Sequence, residues 1–211
     1  MMAGEPAVRR VCRAGGSEHP PILPAMKRIR FLLTALVCLG LQAALIAADQ
    51  TDAAKAARDA TRDKLRETLD AATAEGLNVT FRQRPEQPYR FAGVMESGLE
   101  NAESLEIIVD VTASETIGFR VYPHYKGGYI NIDKAPDGQG LMRRLLAFNG
   151  TNFLFWGVDD TNDVFSGYTI TLESGFPKEA VRVVLASIHN TDGFVGKLRP
   201  FLDHALPAAN K

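Results

Sequence analysis

Cysteine is almost absent from this sequence of 211 residues, and its two cysteines, Cys12 and Cys38, both lie before residue 49. Residues 49–211 therefore hold no thiol that could form a disulfide, attack a substrate or bind a metal ion. The stability of this region has to come from an apolar core. Its 163 residues are enough to bury such a core in a single domain.

The short motifs of common active sites are also missing. There is no HExxH, and His124, His189 and His204 lack the spacing of a zinc pair on one helix. There is no GxSxG nucleophile elbow. The glycines at 126–128 and 137–140 lack the strand, loop and helix spacing of a phosphate-binding loop. No catalytic, cofactor-binding or metal-binding residue is predicted, and no cofactor.

A strong excess of either charge is lacking as well. Six of the 24 basic residues and two of the 25 acidic residues lie before residue 49. The remaining 18 basic and 23 acidic residues give residues 49–211 a formal net charge of −5. A mildly acidic domain has little long-range attraction for nucleic acid or for an anionic membrane, so neither is predicted as a partner.

One long apolar run is present, at residues 31–46, and it follows a basic segment that contains Lys27, Arg28 and Arg30. Two alanines then precede Asp49. This order is typical of a secretory signal peptide, here at residues 26–48. It predicts export to the bacterial periplasm or the medium, with no stable membrane span after cleavage. The alternative is an uncleaved N-terminal anchor.

Residues 1–25 precede this predicted signal and are rich in Pro, Gly, Ala and Arg without a period. Because an export signal acts at a free N-terminus, they are interpreted as a disordered extension from a misassigned start codon, with Met26 as the true start. A twin-arginine signal at Arg9 and Arg10 is the alternative. Residues 49–211 are expected to form one domain.

The domain alternates between helix-like and strand-like segments. Residues 52–75 predict a helix because they are rich in Ala, Lys, Arg and Glu and lack Pro. Short strands are predicted at 77–81 and 91–97, separated by a loop or irregular edge that holds Pro85 and Pro88. Alternating apolar residues at 105–112 and 117–122 predict an antiparallel hairpin.

The second half begins with a predicted helix at 141–148, whose apolar stripe is Leu141, Leu145 and Phe148. The continuous apolar run 153–158 predicts a central strand buried on both faces, and 164–172 predicts the next strand. A helix is predicted from Pro177, with a core face of Val181, Val184, Leu185 and Ile188 and an end at Gly193. The order α-β-β-β-α-β-β-α favours an α+β fold with an antiparallel sheet of about five strands and helices packed on it.

The acidic segment "DDTND" at 159–163 lies between the last two predicted strands. Its carboxylates could hold Ca²⁺, but Thr161 and Val164 occupy positions where a calcium loop needs an acidic or amide group and a glycine. Asp and Asn favour tight turns because their side chains bond to nearby backbone. The segment is therefore predicted to be a hairpin turn.

Residues 141–172 and 176–202 resemble the YbjN family, also described as bacterial sensory transduction regulators. The resemblance consists of a helix that ends in Leu-x-x-x-Asn (Leu145 and Asn149), an apolar-aromatic strand, a polar turn, a second strand and a helix followed by the turn Asn190–Asp192. It implies the fold of type III secretion chaperones, binding of partners through sheet and helix surfaces, and frequent dimers. It implies no active site.

These observations lead to two hypotheses. The first is an exported, non-enzymatic domain that binds a protein, a peptide or a second copy of itself, in a regulatory or chaperone-like role. The second is an envelope hydrolase or small-ligand protein whose polar residues converge only in the folded chain, with His124, Asp133 and His204 as its candidate residues.

Overall fold

The structure is a computed structural model that describes residues 51–203. The predicted extension, the predicted signal peptide and His204 lie outside the described residues. Between residues 51 and 203, no helix has the length and apolar character that crossing a bilayer requires.

Six strands form one antiparallel sheet in the order β1-β2-β3-β4-β6-β5. They are β1 (Arg82–Arg84), β2 (Gln87–Met95), β3 (Ser104–Val111), β4 (Thr116–His124), β5 (Phe155–Val158) and β6 (Val164–Thr171). The described helices are α1 at residues 51–74, α2 (Gly138–Phe148), α3 (Lys178–Ser187) and α4 (Asn190–Asp203). The predicted α+β class with an antiparallel sheet is confirmed, with one more strand than expected.

The core lies on one face of the sheet, which we call the inner face. Cross-strand partners share a face, so the register places the buried residues of the strands together. In β3 and β4 these are Leu105, Ile107, Val109, Val111, Ile117, Phe119 and Val121. The helices add Leu65, Leu69, Leu141, Leu145, Phe148, Val181, Val184, Leu185, Ile188, Val195 and Leu198 to the same cluster. The predicted apolar stripes of α2 and α3 are therefore confirmed as core.

The prediction of a central strand at 153–158 is wrong, because β5 is the last strand in the sheet order. Trp156 is buried, but Phe153 is 48% exposed and Phe155 is 41% exposed. A continuous apolar run has no period that separates a fully buried strand from an edge strand with exposed aromatic side chains. This error concerns the part of the sheet that carries the candidate site.

For residues 83–90 the prediction was a loop or an irregular edge, and the structure shows the irregular edge, because β1 is the first strand in the sheet order. Strands β1 and β2 form a hairpin, with Pro85 and Glu86 in the turn between them. The register shifts at Gln83 and Arg84, which is a bulge-like irregularity. Proline is tolerated at such a turn because its missing N–H is not needed for the ladder. Residues 77–81, predicted as a short strand, precede this hairpin and are not strand.

The predicted break at Gly193 is displaced. Helix α3 ends at Ser187, α4 begins at Asn190, and α4 continues through Gly193 and Pro200. The change of direction turns Thr191 and Asp192 inward, where both are buried. The Thr191 hydroxyl then lies 3.0 Å from the hydroxyl of Ser166 in β6.

Asp192 fixes the loop before β3. Its carboxylate accepts hydrogen bonds from the backbone N–H groups of Glu100 (3.0 Å), Asn101 (2.9 Å) and Ala102 (2.7 Å), and from the Asn101 side-chain amide (3.1 Å). Burial alone raises the pKa of Asp192, but the three backbone donors outweigh it and the pKa lies below its ordinary value. Residues 190–192, which the family resemblance predicts as a turn, form the start of α4, and Asp192 is a structural clamp.

Candidate binding surface

The second face of the sheet, which we call the open face, carries no helix from residues 51–203. Register assigns its residues in rows across the strands: Ile108, Arg120 and Gly167 form one row, and Asp110, Gly118 and Thr169 form the next. Phe155 extends the first row onto β5. Arg120, Thr169 and Phe155 are exposed, so this face meets solvent in the described part of the chain.

A groove of about 390 Å³ lies in the open face, and we call it the open-face groove. The aromatic side chains of its lining on the open face are Tyr122, Phe155 and Phe165, and the lining also includes Phe119, whose side chain is buried in the core. The ring centroid of Phe165 lies 5.6 Å from that of Tyr122 and 5.9 Å from that of Phe155, the latter pair edge to face. These rings form a connected apolar wall along β4, β6 and β5.

Gly118 leaves the groove open on β4. A Cβ atom added at Gly118 would meet no heavy atom within 4 Å, and no positive φ requires glycine there. Gly167, on the neighbouring strand, is different: its Cβ would lie 2.7 Å from the Phe119 carbonyl oxygen and 3.0 Å from the Phe155 ring. Packing explains Gly167, whereas nothing in residues 51–203 explains Gly118. Glycine inside a strand often marks close approach of a ligand or another backbone.

Arg120 supplies the main unneutralised charge of the groove lining. Its guanidinium lies 4.8 Å from the centroid of the Phe165 ring and donates one hydrogen bond, of 3.3 Å, to the Tyr122 hydroxyl. No carboxylate of residues 51–203 forms an ion pair with it. Because a guanidinium has five N–H donors, the side chain is held in place with donors to spare.

The other charges beside the groove are paired. Arg90 donates to both carboxylate oxygens of Asp110, at 2.8 and 3.1 Å, and this contact raises the pKa of Arg90. Farther along β3, Glu106 accepts a hydrogen bond from Tyr129, which raises the pKa of Tyr129 to about 12. His124 Nε2 lies 3.7 Å from the same carboxylate. Arg120 is thus the cation of the groove lining that lacks a carboxylate.

The edge of the sheet next to the groove is blocked at β5. The Asn149 side chain accepts a hydrogen bond from the Trp156 N–H (2.6 Å) and donates one to the Trp156 carbonyl (3.2 Å). It therefore takes the place that a further strand would occupy at Trp156. Asn149 is the residue singled out by the Leu-x-x-x-Asn resemblance, and the structure gives it a physical role.

A larger groove, of about 670 Å³, lies between the end of α1, the end of β2 and α3. Its apolar lining includes Leu77, Met95 and Leu185. An ion pair between Arg182 and Glu75, at 2.6 Å, joins two of its lining residues. His189 also lines this groove, at the junction of α3 and α4.

The candidate residues of the hydrolase hypothesis make separate contacts. His124 faces Glu106 and Tyr129, while Asp133 accepts a hydrogen bond from the Asn162 side chain at 2.8 Å. In the part of the chain that the structure covers, no hydrogen bond or ion pair joins His124 to Asp133. His204 lies outside that part.

The segment 159–163 forms the predicted turn between β5 and β6. Asp159 accepts hydrogen bonds from the Thr161 N–H (2.9 Å), the Thr161 hydroxyl (2.7 Å) and the Asp163 N–H (3.0 Å). Asn162 adopts a positive φ of 64°. The carboxylate of Asp159 is thus committed to its own turn. No group of three or more His, Cys, Asp or Glu residues suited to a metal ion occurs within 51–203.

Comparison with known proteins gives little beyond this geometry. No family model matches the chain, so membership of the YbjN family stays a prediction. No curated protein matches it either. Among solved structures, the chain is similar to one from the "Crystal Structure of the ExsC-ExsE Complex", with 17% identity, a TM-score of 0.38, and coverage of 70% of this chain and 97% of that chain. A likeness this weak carries no argument about function.

Sequence reasoning missed the open-face groove. Gly118 and Arg120 occupy the solvent-facing positions of the predicted hairpin, where polar or small residues are ordinary. Phe155 was predicted to lie inside the sheet. The sequence signal was a glycine and an arginine two positions apart, Gly118 and Arg120, which lie on the same face of β4. This signal becomes informative only when the register of β6 and β5 is known.

Proposed function

We propose that this chain is an exported bacterial protein of the YbjN type that binds a polypeptide, without enzymatic activity, in a regulatory or chaperone-like role. The open-face groove is the single observation that carries the proposal. It combines an aromatic wall, an unobstructed glycine and an exposed arginine on a sheet face without a helix from residues 51–203. Aromatic residues and arginine are enriched in sites that bind proteins.

The blocked β5 edge supports binding to the face of the sheet in preference to strand addition at β5. A peptide that extends a sheet needs free backbone N–H and C=O groups along an edge strand. Strand β5 is four residues long, and the Asn149 side chain forms hydrogen bonds with both backbone groups of Trp156, in the middle of the strand. The partner segment is therefore expected to lie across the side chains of β4, β5 and β6.

A site-specific photo-crosslinking experiment tests this function. A photoreactive phenylalanine analogue at Phe155 lies in the groove lining, whereas the same analogue at Leu146 lies on α2, where the side chain is 65% exposed. Illumination of cells that produce each variant should give a defined adduct with a polypeptide from position 155 and none from position 146. Equal labelling from both positions, or none from position 155, contradicts binding at the open face.

Export is the second element of the proposal, and it rests on the order of basic, apolar and small residues in 26–48. Cleavage before Asp49 is expected to release the domain into the periplasm or the medium. Cell fractionation with N-terminal sequencing of the mature protein tests this. Retention of the full N-terminus in the membrane fraction contradicts cleavage and favours the anchor.

The larger groove favours one alternative function, the binding of a small amphiphilic ligand. It has an apolar lining at Leu77, Met95 and Leu185 and charged groups at Glu75 and Arg182. Its volume lies within the range of small-molecule sites. Substitution of Val183, which lines this groove and is 54% exposed, by Trp should abolish binding of such a ligand while the crosslink at position 155 persists. Loss of both activities contradicts this alternative.

A further inference from the structure

Helix α1 consists of two parts that are held to the domain in different ways. In its second part, Leu65, Thr68 and Leu69 are buried, and none of them is more than 3% exposed. Its first part is residues 51–61, which we call the lid. Residues 51–57 of the lid are all exposed, so this part of the helix has little apolar burial to hold it in place.

A cleft of about 260 Å³ lies between the lid and the domain. The lid lines it with the small side chains of Ala54, Ala57 and Ala60. The domain lines it with three larger apolar side chains, which we call the floor: Val111, Leu172 and Phe176. The alanine side chains are too short to fill the space above the floor, so the lid gains little from dispersion contacts there.

Three polar side chains connect the lid to the sheet, and we call them the latch: Arg58, Asp59 and Tyr89. The Arg58 guanidinium donates two hydrogen bonds to the Val111 carbonyl, at 3.0 and 2.6 Å, and its central carbon lies 3.6 Å from the centroid of the Tyr89 ring. The Tyr89 hydroxyl donates a hydrogen bond of 2.9 Å to Asp59. All three side chains belong to half-buried residues, so water can replace these contacts when the lid moves away.

The detachment of the lid therefore costs much less free energy than the unfolding of the domain. Moving the lid exchanges the latch contacts for contacts with water and uncovers mainly alanine, whereas moving the second part of α1 would expose Leu65 and Leu69. Segments with few buried apolar contacts open in local events while the rest of the fold stays intact.

We propose that the lid is a conformational device of this domain. It detaches from the floor while Leu65 and Leu69 stay packed in the core. The closed state covers Val111, and the open state presents the whole apolar floor to solvent. The two states thus differ in an exposed apolar surface on the helix-covered side of the sheet.

Thiol labelling tests the proposal, because residues 49–211 contain no cysteine. In the full chain with Cys12→Ser and Cys38→Ser, Val111→Cys places a single thiol under the lid, where the valine is 1% exposed. Val109→Cys, on the same face of β3 but outside the cleft lining, is the matched control. A maleimide reagent too bulky for the cleft should label position 111 at least about a hundredfold faster than position 109, because local opening lies well below global unfolding in free energy.

Variants of the lid locate the opening. Arg58→Met removes the hydrogen bonds to the Val111 carbonyl and should speed labelling at position 111 about tenfold, whereas Lys55→Met, which changes an exposed cation of the same helix, should leave it unchanged. Ala57→Leu should slow the labelling because it fills the cleft. Ala56→Leu, exposed and outside the cleft lining, makes the same change in helix propensity and should have no such effect.

Hydrogen exchange in the wild-type chain gives a second readout that needs no substitution. Amides of residues 56–61 should exchange through an opening whose free energy depends little on urea, because little surface is exposed. Amides of residues 66–73 should exchange through unfolding of the domain, with a steep dependence on urea.

Two outcomes overturn the inference. Equal labelling at positions 111 and 109, with the same dependence on urea, means that the lid leaves only when the whole domain unfolds. Rapid labelling at position 111 that neither Arg58→Met nor Ala57→Leu changes means that the reagent reaches the thiol by another route. Both outcomes leave the proposed function untouched, because it depends on the open face of the sheet.

Discussion

Replacement of Asp192 by Ala should be among the most damaging single substitutions in the domain. The carboxylate is 5% exposed and accepts four hydrogen bonds from residues 100–102. Its removal leaves the backbone N–H of buried Ala102 without an acceptor, while the N–H of exposed Glu100 can turn to water. One buried unsatisfied donor and the loss of charge-assisted bonds together correspond to about 3 kcal/mol in the free energy of unfolding.

The isosteric change Asp192→Asn should lower the free energy of unfolding by less, about 1–2 kcal/mol, because one side-chain oxygen remains as an acceptor. The pKa of Asp192 is lowered in the folded protein. Its carboxylate therefore contributes stability above the unfolded pKa, near about 4, and that contribution is lost as the pH falls through the folded pKa. The difference in stability between wild type and Asp192→Asn should be constant near neutral pH and should shrink in acid.

Urea unfolding monitored by tryptophan fluorescence measures these effects. Trp156 is the one tryptophan of the chain and is buried in the core, so its emission reports global unfolding. Asp160→Ala, which removes an exposed carboxylate from the β5–β6 turn, is the matched control and should stay within about 0.5 kcal/mol of wild type. For Asp192→Ala, the melting temperature should fall by about 6–12 °C. A loss no larger than that of the control refutes the clamp role of Asp192.

Three further predictions concern the open face and its edge. Gly118→Val should raise the free energy of unfolding by about 0.5–1 kcal/mol, because no atom obstructs the new side chain. A lower free energy of unfolding than that of wild type, measured by chemical denaturation, would contradict an unobstructed groove. Gly167→Ala should lower it by about 1–3 kcal/mol, since its Cβ would lie 2.7 Å from the Phe119 carbonyl oxygen, and stability equal to wild type would refute that clash. Asn149→Ala should lower the free energy of unfolding by about 1–3 kcal/mol, measured by denaturation, and should promote self-association through the freed β5 edge, measured by sedimentation. A strictly monomeric variant of unchanged stability contradicts the role of Asn149.

Much of the fold could be predicted because local patterns and tertiary structure agree. The hairpin of β3 and β4 alternates apolar and polar residues, and its apolar set is the buried set. Helix α2 buries the stripe Leu141, Leu145 and Phe148, as its spacing predicts. The turn at 159–163 also follows from local chemistry, because Asp159 bonds to its own turn. These features depend on contacts close in sequence or on a single period.

The failures share a different cause. The position of β5 in the sheet depends on which strand neighbours β6, and an apolar run does not encode that choice. The junction between α3 and α4 depends on Asp192 and its partners at residues 100–102, about ninety positions earlier in the chain. Without these distant contacts, Gly193 predicts the end of a helix, whereas in the structure α4 continues through it.

The sequence by itself determined the α+β class, the core stripes of α2 and α3, the polar turn before β6 and the lack of cysteine after residue 48, because each depends on residue type and local spacing. Tertiary structure alone decided that Phe155 is exposed, that Gly118 opens onto empty space and that Arg120 stands beside Phe165 without a carboxylate. Those properties belong to a face assembled from β4, β6 and β5. Side chains separated by dozens of residues become neighbours there only through strand order and register.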